Sequence, residues 1–240
     1  MKKMILIVVI VLFSSIQFSC ADMLNQIPTL TTTNGGLTKE EIIKGLKEAL
    51  VVGATNSSSS ASKVDGFNLN TLIRIPFPPE AIKVKNTVDN LGLSDLTKDF
   101  VKSLNRAAEE GSKKALPIFK NAILNITIND GIKILRGPDN AATEYLKSKT
   151  KDALTAEFTP VVNNALQTVN VTKYWTPIAS AYNKTTILTG EKAVNPNLSE
   201  YVTQKTLDGL FTLIAAEEKK IRKDPVARVS DILKKVFGSI

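Results

Sequence analysis

From Thr38 onward the apolar residues of this chain recur every three to four positions, and no alternating run is joined to a hairpin turn. That spacing builds an apolar stripe on a helix and gives a strand no face to bury. The sequence therefore predicts an all-α fold, a single bundle of about seven to nine helices. With 240 residues, 43% of them hydrophobic, the chain is long enough for one sizeable core. One stretch breaks the pattern. In GFNLNTLIRIPFPP, residues 66–79, three prolines forbid a continuous helix and favour extended backbone before each of them. It is expected to cross the bundle as one extended Pro-rich segment, with Phe67, Ile73, Ile75 and Phe77 turned inward.

Local signals place the helices. Thr38 and Glu41 form a capping box ahead of Ile42, Leu46 and Leu50. Pro79 suits the first turn of a short helix near 80–91. Ser94 opens a helix carrying Leu96, Phe100, Val101 and Leu104, and Pro117 kinks or restarts it. Asp139 and Asp152 are expected as caps of two further helices, the second broken near Pro160. A long helix over 198–223 closes in EEKKIRK, Glu217–Lys223, expected as a solvated last turn with Glu218 and Arg222 paired four apart. A last amphipathic helix carries Val229, Ile232, Leu233 and Phe237.

The first residues give an address. Lys2 and Lys3 precede the apolar run Met4–Phe13, and small polar residues follow, which is the build of a secretory signal over residues 1–19. The run is too short for a membrane span of about 20 residues. Cys20, the single cysteine, stands where bacterial lipoprotein processing attaches a thioether-linked lipid, although Gln17 occupies a position where leucine is usual. Several acyl chains there would hold the protein to a bilayer. Cleavage to leave Asp22 first, giving a soluble periplasmic protein, is the alternative. Residues 20–36 read as a flexible lipidated tether and 37–240 as a single helical domain.

Composition removes several chemistries. The chain has no histidine, which excludes Ser-His-Asp and Cys-His catalysis and removes the commonest metal ligand. One cysteine makes no internal disulfide and no multi-cysteine zinc site. No glycine-rich phosphate cradle occurs, so neither cofactor nor metal is expected. The net charge of +8 is thinly spread and lacks aromatic partners for stacked bases, so nucleic acid is not an expected partner. Ser60 and Lys63 match S-x-x-K, without the companion motifs of penicillin-recognising enzymes.

What remains is a short set of candidates. Arg74 or Arg106 is expected to contact a carboxylate such as Asp208, as a buried ion pair or as the floor of a groove. Tyr145, Tyr174 and Trp175 are candidate ligand-lining aromatics, with core packing the alternative for the tryptophan. Glu109, Asp130 and Asp208 would serve a carboxylate-dependent hydrolase. Glu109 and Glu110 are otherwise expected on a polar helix face, pairing with Lys113, Lys114 or Arg106. Lys234 and Lys235 would serve a basic binder of membrane surfaces or anionic polymers. No residue is assigned a catalytic role.

The strings GLKEAL (Gly45–Leu50), DGF (Asp65–Phe67), RIPFP (Arg74–Pro78), LNRAAEEG (Leu104–Gly111), AATEY (Ala141–Tyr145), YVTQKTLDGLFTLIAAEEKKIRKDP (Tyr201–Pro225) and DILKKVFG (Asp231–Gly238) resemble the bacterial family of domain of unknown function 4197. The resemblance spans roughly residues 37–240. It implies an exported helical protein of Gram-negative bacteria and carries no activity. The expected function is a non-enzymatic binding or structural module of the cell envelope, lipid-anchored at Cys20 and facing the periplasm. Its partner would be an envelope protein or an apolar ligand held between helices.

Overall fold

The computed structural model describes residues 37–168, 175–176, 179–180, 182–184, 186–187, 190, 192–195 and 197–238. Among them are eight α-helices described from end to end, further helical residues within 175–187, two short 3₁₀ turns and no strand. Helix α1 (Lys39–Ala61) starts at the expected capping box: Thr38 Oγ1 accepts from Glu41 N and Glu41 Oε2 from Thr38 N. The serine run continues α1, with Ser57 and Ser58 on its buried face. After the Pro-rich segment and a 3₁₀ turn (Pro79–Ala81) come α2 (Ile82–Asn90) and α3 (Ser94–Ser112). The chain restarts as α4 (Ala115–Leu124), with Pro117 in the first turn, where its missing N–H costs nothing. Thr127 caps α5 (Ile128–Leu135) by accepting from Asp130 N.

Helix α6 (Ala141–Thr168) is one element where two were expected. It runs through Asp152 and carries Pro160 inside it. Leu146, Leu154, Phe158, Val162 and Leu166 are buried on both sides of that proline, so tertiary packing outweighs the lost backbone bond. Asn197 caps α7 (Leu198–Lys223), accepting from Ser199 N and Glu200 N. A 3₁₀ turn (Pro225–Ala227) leads to α8 (Asp231–Phe237), capped by Ser230.

Helices α1, α3, α6 and α7 enclose the core, with α4 and α5 packed against α1 and α6. α1 and α7 run antiparallel: Asn56 Nδ2 donates to Glu217 Oε2, while Leu46, earlier on α1, lines a cavity with Ile221 and Arg222, later on α7. The start of α1 and the end of α7 therefore share one pole. α8 docks there through Leu233, Val236 and Phe237. It comes close because Gly45 has no Cβ; one would stand 2.6 Å from Val236 Cγ2. The apolar face of the last helix is thus buried and does not form an exposed stripe. Among the described residues no helix is long and apolar enough to cross a membrane.

Candidate functional site

The Pro-rich segment is fixed from below by one face of α3. Asn105, fully buried, treats Ile75 as a strand partner would: its Oδ1 accepts from Ile75 N at 2.8 Å and its Nδ2 donates to Ile75 O at 2.9 Å. One turn on, buried Glu109 accepts from Phe67 N and Asn68 N through Oε1. Its other oxygen takes Arg106 Nη1 at 2.6 Å, and Arg106 Nη2 reaches Asp65 at 3.0 Å. Asp65 sits at φ +64°, a left-handed turn that aspartate tolerates better than most residues. The hydrogen bond from Asn68, then the Arg106 charge, holds its carboxyl below the ordinary range. Phe67 fits over Gly209 of α7, where a Cβ would lie 2.8 Å from the ring. At the far end, Tyr201 OH donates to Pro76 O, and burial together with Glu80 pushes its pKa up to about 12. These bonds leave the tip of the segment displayed: Val64, Leu69 and Leu72 are each more than two-thirds exposed.

A second polar knot lies at the opposite pole. Glu218 accepts from Ala142 N, Thr143 N and Thr143 Oγ1, so a carboxylate of α7 caps α6. Arg222, four residues on, pairs with it at 2.9 Å and donates to the carbonyls of Ile134 and Leu135 at the end of α5. Both side chains are only 7% exposed. The expected pair is present; Lys219, Lys220 and Lys223 are exposed as expected of a solvated turn, but Glu218, Ile221 and Arg222 turn inward. Asp139 does not cap α6; it pairs with Lys223. Beside this knot is a cavity of about 10 Å³, lined by Leu46, Leu50, Ile214 and Phe237 among others. That is space for one water.

The profile of a family described as protein of unknown function DUF4197 matches residues 36–238. The chain belongs to the DUF4197 family. A comparison with curated proteins finds no match. Neither does a comparison with solved structures. The geometry shows what the short family-like strings do in this DUF4197 domain. LNRAAEEG holds both DGF and RIPFP, the long C-terminal run supplies Gly209 beneath Phe67, and its Glu218 caps AATEY.

Arg74 and Asp208 are both exposed, so the expected pairing with Asp208 does not form. Asp208 neighbours core residues in sequence, yet its helical position turns it outward while Leu207 and Leu210 turn in. Arg106 does make a part-buried ion pair, with Asp65 and Glu109 instead. Glu109 is in the core rather than on a polar face, and Lys113 pairs with Glu110. Helical spacing puts Asn105, Glu109 and Ser112 on the stripe of Val101 and Ala108, but spacing alone names no partner for a buried glutamate. Trp175 is buried against Phe77 and Phe100, ring centroids 6.0 and 5.3 Å away, in the core packing given as the alternative. Half-buried Tyr145 has its phenol pKa raised by burial and then by Asp130, with Lys149 over its ring. Tyr174 and Cys20 lie outside the described residues, as do the expected signal and tether. Ser60 and Lys63 are exposed, as are Lys234 and Lys235; Lys235 pairs with Glu41. Among the described residues no three His, Cys, Asp or Glu gather as a metal site.

Proposed function

We propose that this DUF4197 protein is a non-enzymatic binding module of the cell envelope, exported, lipid-anchored at Cys20, and engaging an envelope protein through the displayed segment 64–74. One observation carries the reading. The buried carboxylates of Glu109 and Glu218, the Asn105 amide and the Arg222 guanidinium are bonded to backbone groups of neighbouring elements. Glu109 fixes Phe67 and Asn68, Asn105 fixes Ile75, Glu218 caps α6 and Arg222 closes α5. A carboxylate occupied in this way is poorly placed to accept a substrate proton. The polar framework instead spends its interactions on holding a loop with apolar tips, the usual build of a recognition surface on a rigid scaffold. The cavity beside Glu218 is water-sized and too small for an apolar ligand at that site, since such ligands need about 300 Å³ or more.

Two measurements test the reading. Intact mass spectrometry of protein purified from host membranes should show a chain starting at acylated Cys20; a chain starting at Asp22 without lipid removes the anchor. Photocrosslinking in intact cells from position 72 should give one discrete adduct that position 153, exposed on α6, does not give. The same adduct pattern from both positions rules out segment 64–74 as the binding surface.

A further inference from the structure

We propose that the pole where α1 begins rests on the anionic bilayer that carries the lipid anchor, seated through the turn at Val226 and the lysines at the end of α7. The inference rests on the anchor reading and adds an orientation and a docking surface to it. The sixteen residues between Cys20 and Leu37 enter the domain at this pole, whatever path they take. Lys39 begins α1, and Glu41 pairs with Lys235 of α8 at 2.6 Å. The last helix, joined to the turn after α7 by only three residues, is therefore beside the point where the chain leads to the membrane.

That turn has the form of a shallow insertion device. Val226 and Val229 are 87% and 68% exposed. The backbone presenting them is held: Asp224 accepts from Val226 N, and Arg228 donates to the carbonyls of Ile221 and Arg222. Around it, residues 219–235 hold seven basic side chains and two acids. Neighbouring carboxylates take up part of that charge: Glu41 pairs with Lys235, Asp139 with Lys223, Glu217 with Lys220 and Glu218 with Arg222. Lys219 and Arg136 make no ion pair among the described residues. Lys219 and Lys223, one turn apart, both act on the single carboxylate of Asp139. The excess charge is modest, but tethering supplies the rest. A linker this short imposes an effective concentration of about millimolar, so two valines and a few lysines need only a weak affinity for lipid phosphates. The displayed segment 64–74 follows the far end of α1, roughly 35 Å away for 23 residues. It would then point away from the bilayer, toward a partner.

The test uses the full chain purified with its anchor and reconstituted into vesicles of phosphatidylcholine, with or without phosphatidylglycerol. A thioether at Cys20 leaves no native thiol, so Val226→Cys and, separately, Leu72→Cys each take one polarity-sensitive fluorophore. In phosphatidylglycerol vesicles the probe at 226 should shift to shorter wavelength and lose access to an aqueous quencher, while the probe at 72 stays aqueous. Adding Lys219→Glu and Lys223→Glu should reverse the shift. Emission at 226 matching that at 72, in protein shown by mass to be acylated, overturns the proposal. If the mass shows free Cys20, the anchor reading fails separately, and flotation of the chain with phosphatidylglycerol vesicles decides the docking surface. Flotation at millimolar accessible lipid, which matches the tethered concentration, and weakened about fivefold by each lysine reversal supports it; absence of flotation at that concentration overturns it.

Discussion

Removing Glu218 is the sharpest test of the packing described above. Glu218→Ala deletes an oxygen pair that accepts from two α6 N–H groups, one hydroxyl and Arg222. Arg222 would keep the carbonyls of Ile134 and Leu135 but lose its ion-pair partner, at 7% side-chain exposure. Breaking a buried ion pair costs about 3–5 kcal/mol, and losing a helix cap about 1 kcal/mol, with overlap between the two. The expected destabilisation is therefore about 4 kcal/mol, or roughly 8–16 °C in Tm for a domain of this size. Urea unfolding followed by circular dichroism should show a lower midpoint with an unchanged m value. The double variant Glu218→Gln/Arg222→Met should lose about half as much, because no unpaired charge is left behind. A loss below about 1 kcal/mol in Glu218→Ala would refute the claim that this knot is buried and made.

Two glycines in helix interiors should respond with opposite signs. Gly53→Ala meets only Glu217 Cβ at 3.5 Å and should stabilise by about 0.5–1 kcal/mol, whereas Gly209→Ala drives a methyl against Phe67 and Ile73 and should cost about 1–3 kcal/mol; equal signs in thermal melts would undo the assignment. The hydroxyl of Ser58 is buried without a hydrogen-bond partner, so Ser58→Ala should raise stability by about 0.5–1 kcal/mol in the same assay, and a loss of stability would show that the hydroxyl has a partner. Acid should loosen the displayed segment. The carboxyl of Asp65 is depressed from an ordinary 3.8, so its contribution is whole above that pH and is lost as pH falls through the lower folded value; hydrogen exchange of residues 65–70 should accelerate there in the parent protein, and a smaller acid response in Asp65→Asn is expected.

How much of this was legible depends on the range of the interaction involved. Helix identity, the capping box and the inward Phe67, Ile73, Ile75 and Phe77 follow from neighbours within one or two turns, and the sequence carries those directly. The Glu218–Arg222 pair was legible for the same reason, since four residues on a helix face one another. Pro160 was not, because local propensity argues for a break there, and burial along the whole of α6 overrides it. Nor was Glu109: a glutamate beside a glutamate reads as a polar face until the segment 41 residues upstream brings two unpaired N–H groups over it. The Arg74–Asp208 pairing failed in the same way. Both residues neighbour core positions in sequence, yet Asp208 lies on the outward side of α7 and Arg74 on the outward side of the Pro-rich segment, and only the packed bundle decides which side that is. By itself the sequence determined most of the elements and the chemistry a chain without histidine cannot perform. Tertiary structure alone decided which polar groups are buried, because the partners that make burial affordable come from distant segments of the chain.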